Sequence, residues 1–297
     1  MMTHSLNIRG SLYEIERPQV MGIINVTPDS FYAGSRVDLS EVLTRVEVML
    51  RDGADMLDLG GYSTRPGAAE VSAEEEVDRL LPAIDKIRSR YEDVIISIDT
   101  FRADVARACM EHGADIINDI SGGDMDPEMF ATVAELNAPY ILMHTRGTPA
   151  TMQSLTDYED VTAEVLKDLA FKCDRLRQMG VSDIIIDPGY GFAKTVDQNY
   201  ELLGNQRAFE ALGCPILTGI SRKTMIWKEL GITPAESLNG TTALNMLALM
   251  NGADILRVHD VKEASETVRI YEAYRRNLTD RHIITTRGEG KTRIELI

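Results

Sequence analysis

Nine residues stand where short apolar runs end, and their types are those of hydrogen-bonding and charge chemistry: Asn25, Asp58, Asp99, Asn118, His144, Asp187, Ser221, Arg257 and His259. Any one of them alone reads as a satisfied structural group, because buried polar side chains are normally paired inside the protein. Nine at corresponding places point instead to one polar ligand, since charged groups near a core are costly unless paired or bound. Arg65, Lys223, Arg257 and His259 add positive charge to a chain whose formal net charge is −16, from 31 basic and 47 acidic residues. A local cationic site on an acidic protein suits an anionic, phosphorylated substrate. The same negative field argues against nucleic acid or an anionic membrane as partner.

No nucleophile–base–carboxylate triad is visible among these residues. Lys223 could form a Schiff base, but nothing in the sequence marks it as desolvated, so hydrogen bonding is its expected role. His144 and His259 lack the HxH or HExxH spacing that zinc sites use. Asn25, with Asp29 close by, suits Mg2+ better, an oxygen-liganded ion completed by waters and substrate phosphates. Three of the apolar runs lead into loops rich in glycine and proline, NVTPDSFYAG, GGYSTRPGAAE and DPGYGFAK. Such loops bring backbone N–H groups close to a ligand or close over it.

The elements that must position these residues follow from the apolar pattern. VMGIINV, DMLDLGG, VIISIDT, DIINDIS, YILMHT, DIIIDPG, PILTGIS and DILRVHD are rich in Ile, Leu and Val on both alternating faces, as strands of a parallel sheet must be. They alternate with longer amphipathic runs, and their number, eight, favours an α/β fold of the (β/α)8 TIM-barrel type, with the strand ends converging on one mouth. A weak repeat supports the units: RDGADMLDL, EHGADIIND and NGADILRVH share Gly-Ala-Asp, with MGVSDIIIDPG a variant. Glycine there accepts the left-handed conformation that ends a helix. Asp38 with Glu41 resembles a capping box, followed by the stripe Leu39, Leu43, Val46 and Leu50.

The expected organisation is a short N-terminal hairpin over residues 1–18, turning at Gly10-Ser11 and closing the barrel's bottom, a barrel over 19–277, and a β-like tail over 278–297. At 297 residues and 44% hydrophobic content the chain can bury one large core. Three widely spaced cysteines give neither a disulfide framework nor a zinc pattern, so a reducing cytoplasm is the natural setting. No basic-then-apolar leader begins the chain, and no run approaches the roughly 18 apolar residues of a membrane span.

The motifs NVTPDSF, Ser63 to Gly67 (STRPG), Ile98-Asp99-Thr100, Asn118 to Gly122 (NDISG), Asp187-Pro188-Gly189, Ser221-Arg222-Lys223 and Arg257 to Asp260 (RVHD) stand in an order that resembles the dihydropteroate synthases. The match runs from about Val20 to the last helix. That resemblance implies a sulfonamide-targeted transferase of folate biosynthesis, which joins 7,8-dihydropterin-6-ylmethyl pyrophosphate to p-aminobenzoate and releases pyrophosphate. It implies that Asp187 accepts from the pterin's ring N–H and amine, that Asp99 and Asn118 meet other ring nitrogens, that Lys223 donates to the keto side, and that Met143 forms an apolar wall. Asn25 would contact Mg2+. Asn25, Thr64, Arg65, Arg257 and His259 would hold pyrophosphate, and Thr64, Pro66, Phe192 and Ser221 would meet p-aminobenzoate. The catalytic set is then Asn25, Arg65, Lys223, Arg257 and His259, and a homodimer is expected. The second motif departs from the family's common GGESTRPG by carrying Tyr62 for Glu, which predicts altered loop support. A methyltetrahydrofolate-dependent methyltransferase and a catalytically silent pterin-binding subunit are the competing readings. STRPG and Ser-Arg-Lys discriminate against the first, and the retained cations against the second.

Overall fold

The eight apolar runs form eight parallel strands. In the computed structural model, which describes residues 4–26, 39–62 and 71–278 and the backbone of 283–288 and 291–296, these are β3 (Gln19–Asn25), β4 (Met56–Gly60), β5 (Ile95–Asp99), β6 (Ile116–Asp119), β7 (Tyr140–Met143), β8 (Ile184–Asp187), β9 (Leu217–Thr218) and β10 (Ile255–Val258). Neighbours pair in the order β8-β7-β6-β5-β4-β3-β10-β9. An isolated parallel bridge from Ile186 to Ile216 joins β8 to the segment leading into β9 and closes the ring. The helices α1 (Leu39–Arg51), α2 (Ala73–Arg88), α3 (Ala103–Glu111), α4 (Met129–Leu136), α5 (Val161–Gln178), α6 (Val196–Gly204), α7 (Thr224–Leu230), α8 (Leu238–Met250) and α9 (Val261–Arg276) connect or follow the strands.

Side chains along a strand alternate between faces, and one phase of that alternation fills the interior. Met21, Met56, Ile95, Ile116, Ile141, Ile185, Leu217 and Ile255, one from each strand, cluster with Leu6, Ile8 and Ile15. The last three belong to the hairpin of β1 (His4–Ile8) and β2 (Ser11–Ile15), which packs against this layer of the barrel. Its turn is one residue earlier than expected. Ile8 pairs with Ser11, and Arg9 and Gly10 take φ of 51° and 81°, the pair of positive φ values that a tight two-residue hairpin needs.

The Gly-Ala-Asp repeat has a double function. Gly53, Gly113, Gly180 and Gly252 all have φ between 89° and 102°, a conformation that strains any residue with a Cβ. The aspartates that follow stitch the ring. Asp55 accepts from Val20 N at 2.8 Å, Asp115 from Ile96 N at 2.7 Å and Asp254 from Ile216 N at 2.9 Å, while Asp183 accepts from Asn7 of the hairpin at 3.2 Å. The first three each tie one unit to a neighbour by satisfying a backbone N–H near a strand's start, and the fourth ties the hairpin to the ring.

Helix α1 buries Val42 and Val46 fully, with Leu39, Leu43 and Leu50 partly buried beside them, so the stripe is centred one position from that expected. Asp38 lies outside the described residues. Cys109, Cys173 and Cys214 are buried and unbridged. The tail pairs as an antiparallel hairpin, β11 (Ile283–Gly288) with β12 (Lys291–Leu296), in line with its alternating sequence. No described helix is long and apolar enough to cross a membrane.

Candidate active site

Two residues beyond the bottom layer, the same inward phase carries Asp58, Ser97, Asn118, Met143, Asp187, Gly219 and Arg257, and two further still lie Asn25, Gly60, Asp99, Ser221 and His259. Eight of the nine strand-end polar residues therefore fall on one phase. His144 does not. It follows Tyr140 and Leu142, which pack in the layer between strands and helices, and its ring lies 6.3 Å from that of Tyr158. The expectation that His144 faces the mouth is corrected by the two-residue period.

Arg257 organises the centre of the site. Its Nε donates to Asp58 Oδ2 at 2.6 Å and its Nη2 to Asp99 Oδ2 at 2.6 Å. Asn118 Nδ2 also donates to Asp58 Oδ2, at 3.1 Å, which leaves the Asn118 oxygen as an acceptor. Asp58 is fully buried, and its Oδ1 and the buried Ser97 Oγ have no hydrogen-bond partner among the described residues. The Asp99 carboxyl is pushed up from 3.8 to about 7, first by burial; Arg257 pulls it down, and Asp58, Glu76 and Asp119 push it up.

A testable consequence concerns pH. A carboxyl whose folded value exceeds its unfolded value stabilises the protein below the unfolded value and loses that contribution as pH rises through the folded one. Between pH ~4 and ~7 the parent should therefore lose stability relative to Asp99→Asn, which has no proton to release there. Urea unfolding of both proteins across this window reads the difference. A gap that stays constant with pH would refute the assignment of this titration to Asp99.

Asp187 ends β8 directly beside Met143 of β7. Its Oδ1 accepts from Gly189 N at 2.7 Å. Gly189 has φ +74°, and a Cβ there would sit 1.9 Å from the carbonyl oxygen of His144, so glycine alone fits. Lys223 donates to the carbonyl of Tyr190, and its Nζ lies 4.6 Å from the centre of the Phe192 ring. Burial pulls Lys223 down to about 8; Asp187 and Asp99 hold it up, and Arg257 adds to the fall. Ser221 Oγ lies 3.1 Å from His259 Nδ1 and accepts from His259 N at 3.2 Å. Met143, Phe101 and Ile120 form an apolar cluster, joined by Tyr62, Met125 and Phe192.

The structure thus brings Asn25, Asp99, Asn118, Met143, Asp187, Phe192, Ser221, Lys223, Arg257 and His259 to one end of the barrel. Thr64, Arg65, Pro66 and Asp29 lie outside the described residues. Asn25 and Asp99 reach toward each other across Gly60, where an added Cβ would lie 3.9 Å from Asn25 Oδ1 and 3.8 Å from Asp99 Oδ2. The side chain of Asn25 bonds to no other described residue.

Several contacts that shape the site were not read from the sequence. Asp119 accepts from Ser121 N, Ser121 Oγ and Tyr140 OH at 2.7 Å and from Gly123 N at 2.8 Å, which locks the turn after Asn118. Lys194 is buried behind Asp187. Tyr62 meets Phe101 edge-on at 5.3 Å and lies 5.4 Å from the Arg102 guanidinium. Aromatic contacts thus support the start of the second loop. The signals were present in NDISGGD and GFAK, but the distant partners Tyr140 of Asp119 and His144 of Lys194, 21 and 50 residues away, could not be inferred. A cavity of about 490 Å³ opens beside His4, Asp254 and Tyr271, at the end of the barrel where the hairpin lies; it contains none of these groups.

A barrel mouth that sets buried carboxylates and amides against a lysine, an arginine and an apolar wall defines a binder of flat, polar heterocycles. The pterin binding enzyme family matches residues 21–259. A dihydropteroate synthase from Escherichia coli K12 is 43% identical over 268 residues, covering 89% of this chain and 94% of that protein. The Yersinia pestis dihydropteroate synthase structure with a sulfonamide drug complex superposes with a TM-score of 0.86 at 39% identity, over 92% of this chain and 100% of that one. The Xanthomonas albilineans dihydropteroate synthase with 4-aminobenzoic acid gives 0.85 at 36% identity, over 92% and 99%. The chain belongs to the pterin binding enzymes and, within them, is a dihydropteroate synthase.

Proposed function

We propose that the mouth of this barrel joins 7,8-dihydropterin-6-ylmethyl pyrophosphate to p-aminobenzoate, releasing pyrophosphate, with the residues divided as follows. The observation that carries this reading is that Lys223 donates to the carbonyl of Tyr190, three residues after the Asp187 that ends β8, at a barrel interior that also presents Asn118 and Asp99. Asp187 accepts two hydrogen bonds from the pterin's N–H and amine edge, Lys223 donates to its keto side, Asn118 and Asp99 meet the remaining ring nitrogens, and Met143 packs against the ring. Arg65, Arg257 and His259, with Thr64, hold the pyrophosphate. Charge grows on the pyrophosphate as it leaves, so cations there stabilise the transition state more than the ground state. The pterin carbon left behind is an electrophile that the arylamine captures, a route that needs no strong base. Phe192, Ser221, Thr64 and Pro66 seat the arylamine; the 4-aminobenzoic acid in the Xanthomonas structure and the sulfonamide in the Yersinia structure support that choice of second substrate.

Asn25 fits Mg2+. It offers an uncommitted amide at the rim, and no described cluster of three His, Cys, Asp or Glu competes as a metal site. An ion held by one side-chain oxygen and completed by waters and substrate phosphates is the usual Mg2+ arrangement. Bound there, Mg2+ would neutralise part of the pyrophosphate's charge. We further infer a homodimer, supported by the exposed Leu230, Leu247, Met250, Ile270 and Tyr274 on α7, α8 and α9. A cytoplasmic setting suits the three buried, unbridged cysteines.

Turnover with the pterin pyrophosphate and labelled p-aminobenzoate, with and without Mg2+, tests the activity. A sharper test divides the site. Pyrophosphate and Mg2+ added to pterin-loaded enzyme should raise p-aminobenzoate affinity, since Thr64 is assigned to both the pyrophosphate and the p-aminobenzoate and couples the two subsites. Arg65→Ala should abolish most of that gain while keeping pterin binding. Equal p-aminobenzoate affinities in all four titrations would refute this division of the site.

A further inference from the structure

The loop between β8 and α6 carries an ammonium that the reaction as described does not use. Lys194 is 4% exposed, and its Nζ lies 3.0 Å from His144 Nδ1, 3.0 Å from Gly189 O and 3.1 Å from Phe192 O. Three donors thus meet three acceptors, the condition under which a lysine tolerates burial. Burial, then Lys194, Lys172 and Arg146, hold the His144 imidazole down at about 2, and the Lys194 ammonium, which can only donate, makes the Nδ1 of this neutral ring the acceptor. The three acceptors belong to the end of β7, to the turn two residues after Asp187, and to the residue whose ring lies against Lys223.

We propose that Lys194 is a positioning residue of the pterin site, fixing the segment from Asp187 to Phe192 through these three bonds and placing a buried positive charge near the Asp187 carboxylate. The inference rests on Asp187 being the pterin's acceptor. The charged groups facing Asp187 are Lys223 from the loop after β9, Arg257 from β10 and Lys194 itself. Those facing Lys194 are Asp187, Lys223, Arg146 and Asp168, with neutral His144. Burial pushes the Asp187 carboxyl up; Lys223, the N–H of Gly189, Arg257 and Lys194 hold it down. Burial lowers Lys194 only to about 7, so it stays cationic over the acidic range in which a carboxylate titrates. Without that cation, Asp187 must take up its proton at higher pH.

The test is the pH dependence of 6-hydroxymethylpterin affinity, by calorimetry, for the parent, Lys194→Arg, Lys194→Met, Lys194→Gln and Asp187→Asn. The ligand's own titration is common to all and cancels in the comparison. In Lys194→Met and Lys194→Gln the acid limb should move up by about one pH unit. Lys194→Arg, which keeps the charge, should leave it near its parental place. In turnover the uncharged variants should raise KM for the pterin pyrophosphate about tenfold, with kcat within about twofold of the parent. Two uncharged variants are included so that a folding failure in one leaves the other to be read. An acid limb unmoved in a folded uncharged variant, while Asp187→Asn loses pterin affinity, would overturn the role of Lys194 alone. Parental affinity in Asp187→Asn would instead overturn the assignment beneath it.

Discussion

Arg257→Met will cost the folded protein about 3 to 5 kcal/mol and abolish turnover, because it strands two carboxylates at once. Asp58 is fully buried with one oxygen lacking a partner among the described residues, and its other oxygen accepts the Arg257 Nε at 2.6 Å. Asp99 receives the second arm of the same guanidinium. Methionine fills the stem's volume but supplies no charge, so the pair can relieve their repulsion only by taking up a proton. Asp99 is the one to do so, since burial has already lifted it to about 7. A protonated Asp99 would donate where, on the proposed contacts, the pterin edge needs an acceptor, so stability and recognition should fail together. Arg257→Lys should recover part of the stability and little of the activity, because an ammonium cannot span two carboxylates as the planar fork does. Urea denaturation and steady-state turnover on the three proteins read this. A methionine variant with parental stability would refute the stranded-charge argument.

The second large effect is at Asp187. Replacing it with asparagine keeps the shape and one carbonyl oxygen but turns the other position from acceptor to donor. That oxygen or the one held by Gly189 N must be lost, and the amide would face the pterin's own N–H. Pterin affinity should fall by at least the roughly 1 to 3 kcal/mol of a broken charge-assisted bond, about five- to 150-fold. Lys223 should respond as well, since Asp187 is the largest influence holding its ammonium up against burial. Its proton would then leave below about 8, and binding should weaken earlier on the alkaline side. Calorimetry at neutral and alkaline pH tests both parts; parental affinity at either would contradict the assigned contact.

Much of this was legible in the residues, for physical reasons that differ from place to place. Eight parallel strands announce themselves because both faces must be apolar, and the Gly-Ala-Asp repeat because helix ends demand a left-handed residue at a fixed offset. The set of strand-end polar residues was legible by type. The two-residue period that separates His144 from Met143 and Asp187 is also in the sequence, but it discriminates only when each strand's phase is fixed, and a single polar residue does not fix it. Beyond reach were partners joined by the ring closure. Nothing near Arg257 in the chain points to Asp58 or Asp99, and nothing near Lys194 points to His144. The hairpin turn was displaced by one residue because Arg9 accepts a positive φ that its type would not suggest.

The barrel's closure has a consequence for how it meets its substrate. Between β8 and β9 the ring is held by one bridge, Ile186 to Ile216, and β9 itself pairs with β10 over two residues. Asp187 ends the strand on one side of this gap, while Ser221 and Lys223 follow the strand on the other. On the proposed contacts, a heterocycle gripped by Asp187 along one edge and Lys223 along another would span the gap as a cross-tie, and the pterin would lend the barrel a rung that its own backbone omits. Occupancy and closure are then one equilibrium: the amides of this corner should open most readily in the empty protein and gain the most protection from the ring that fills it.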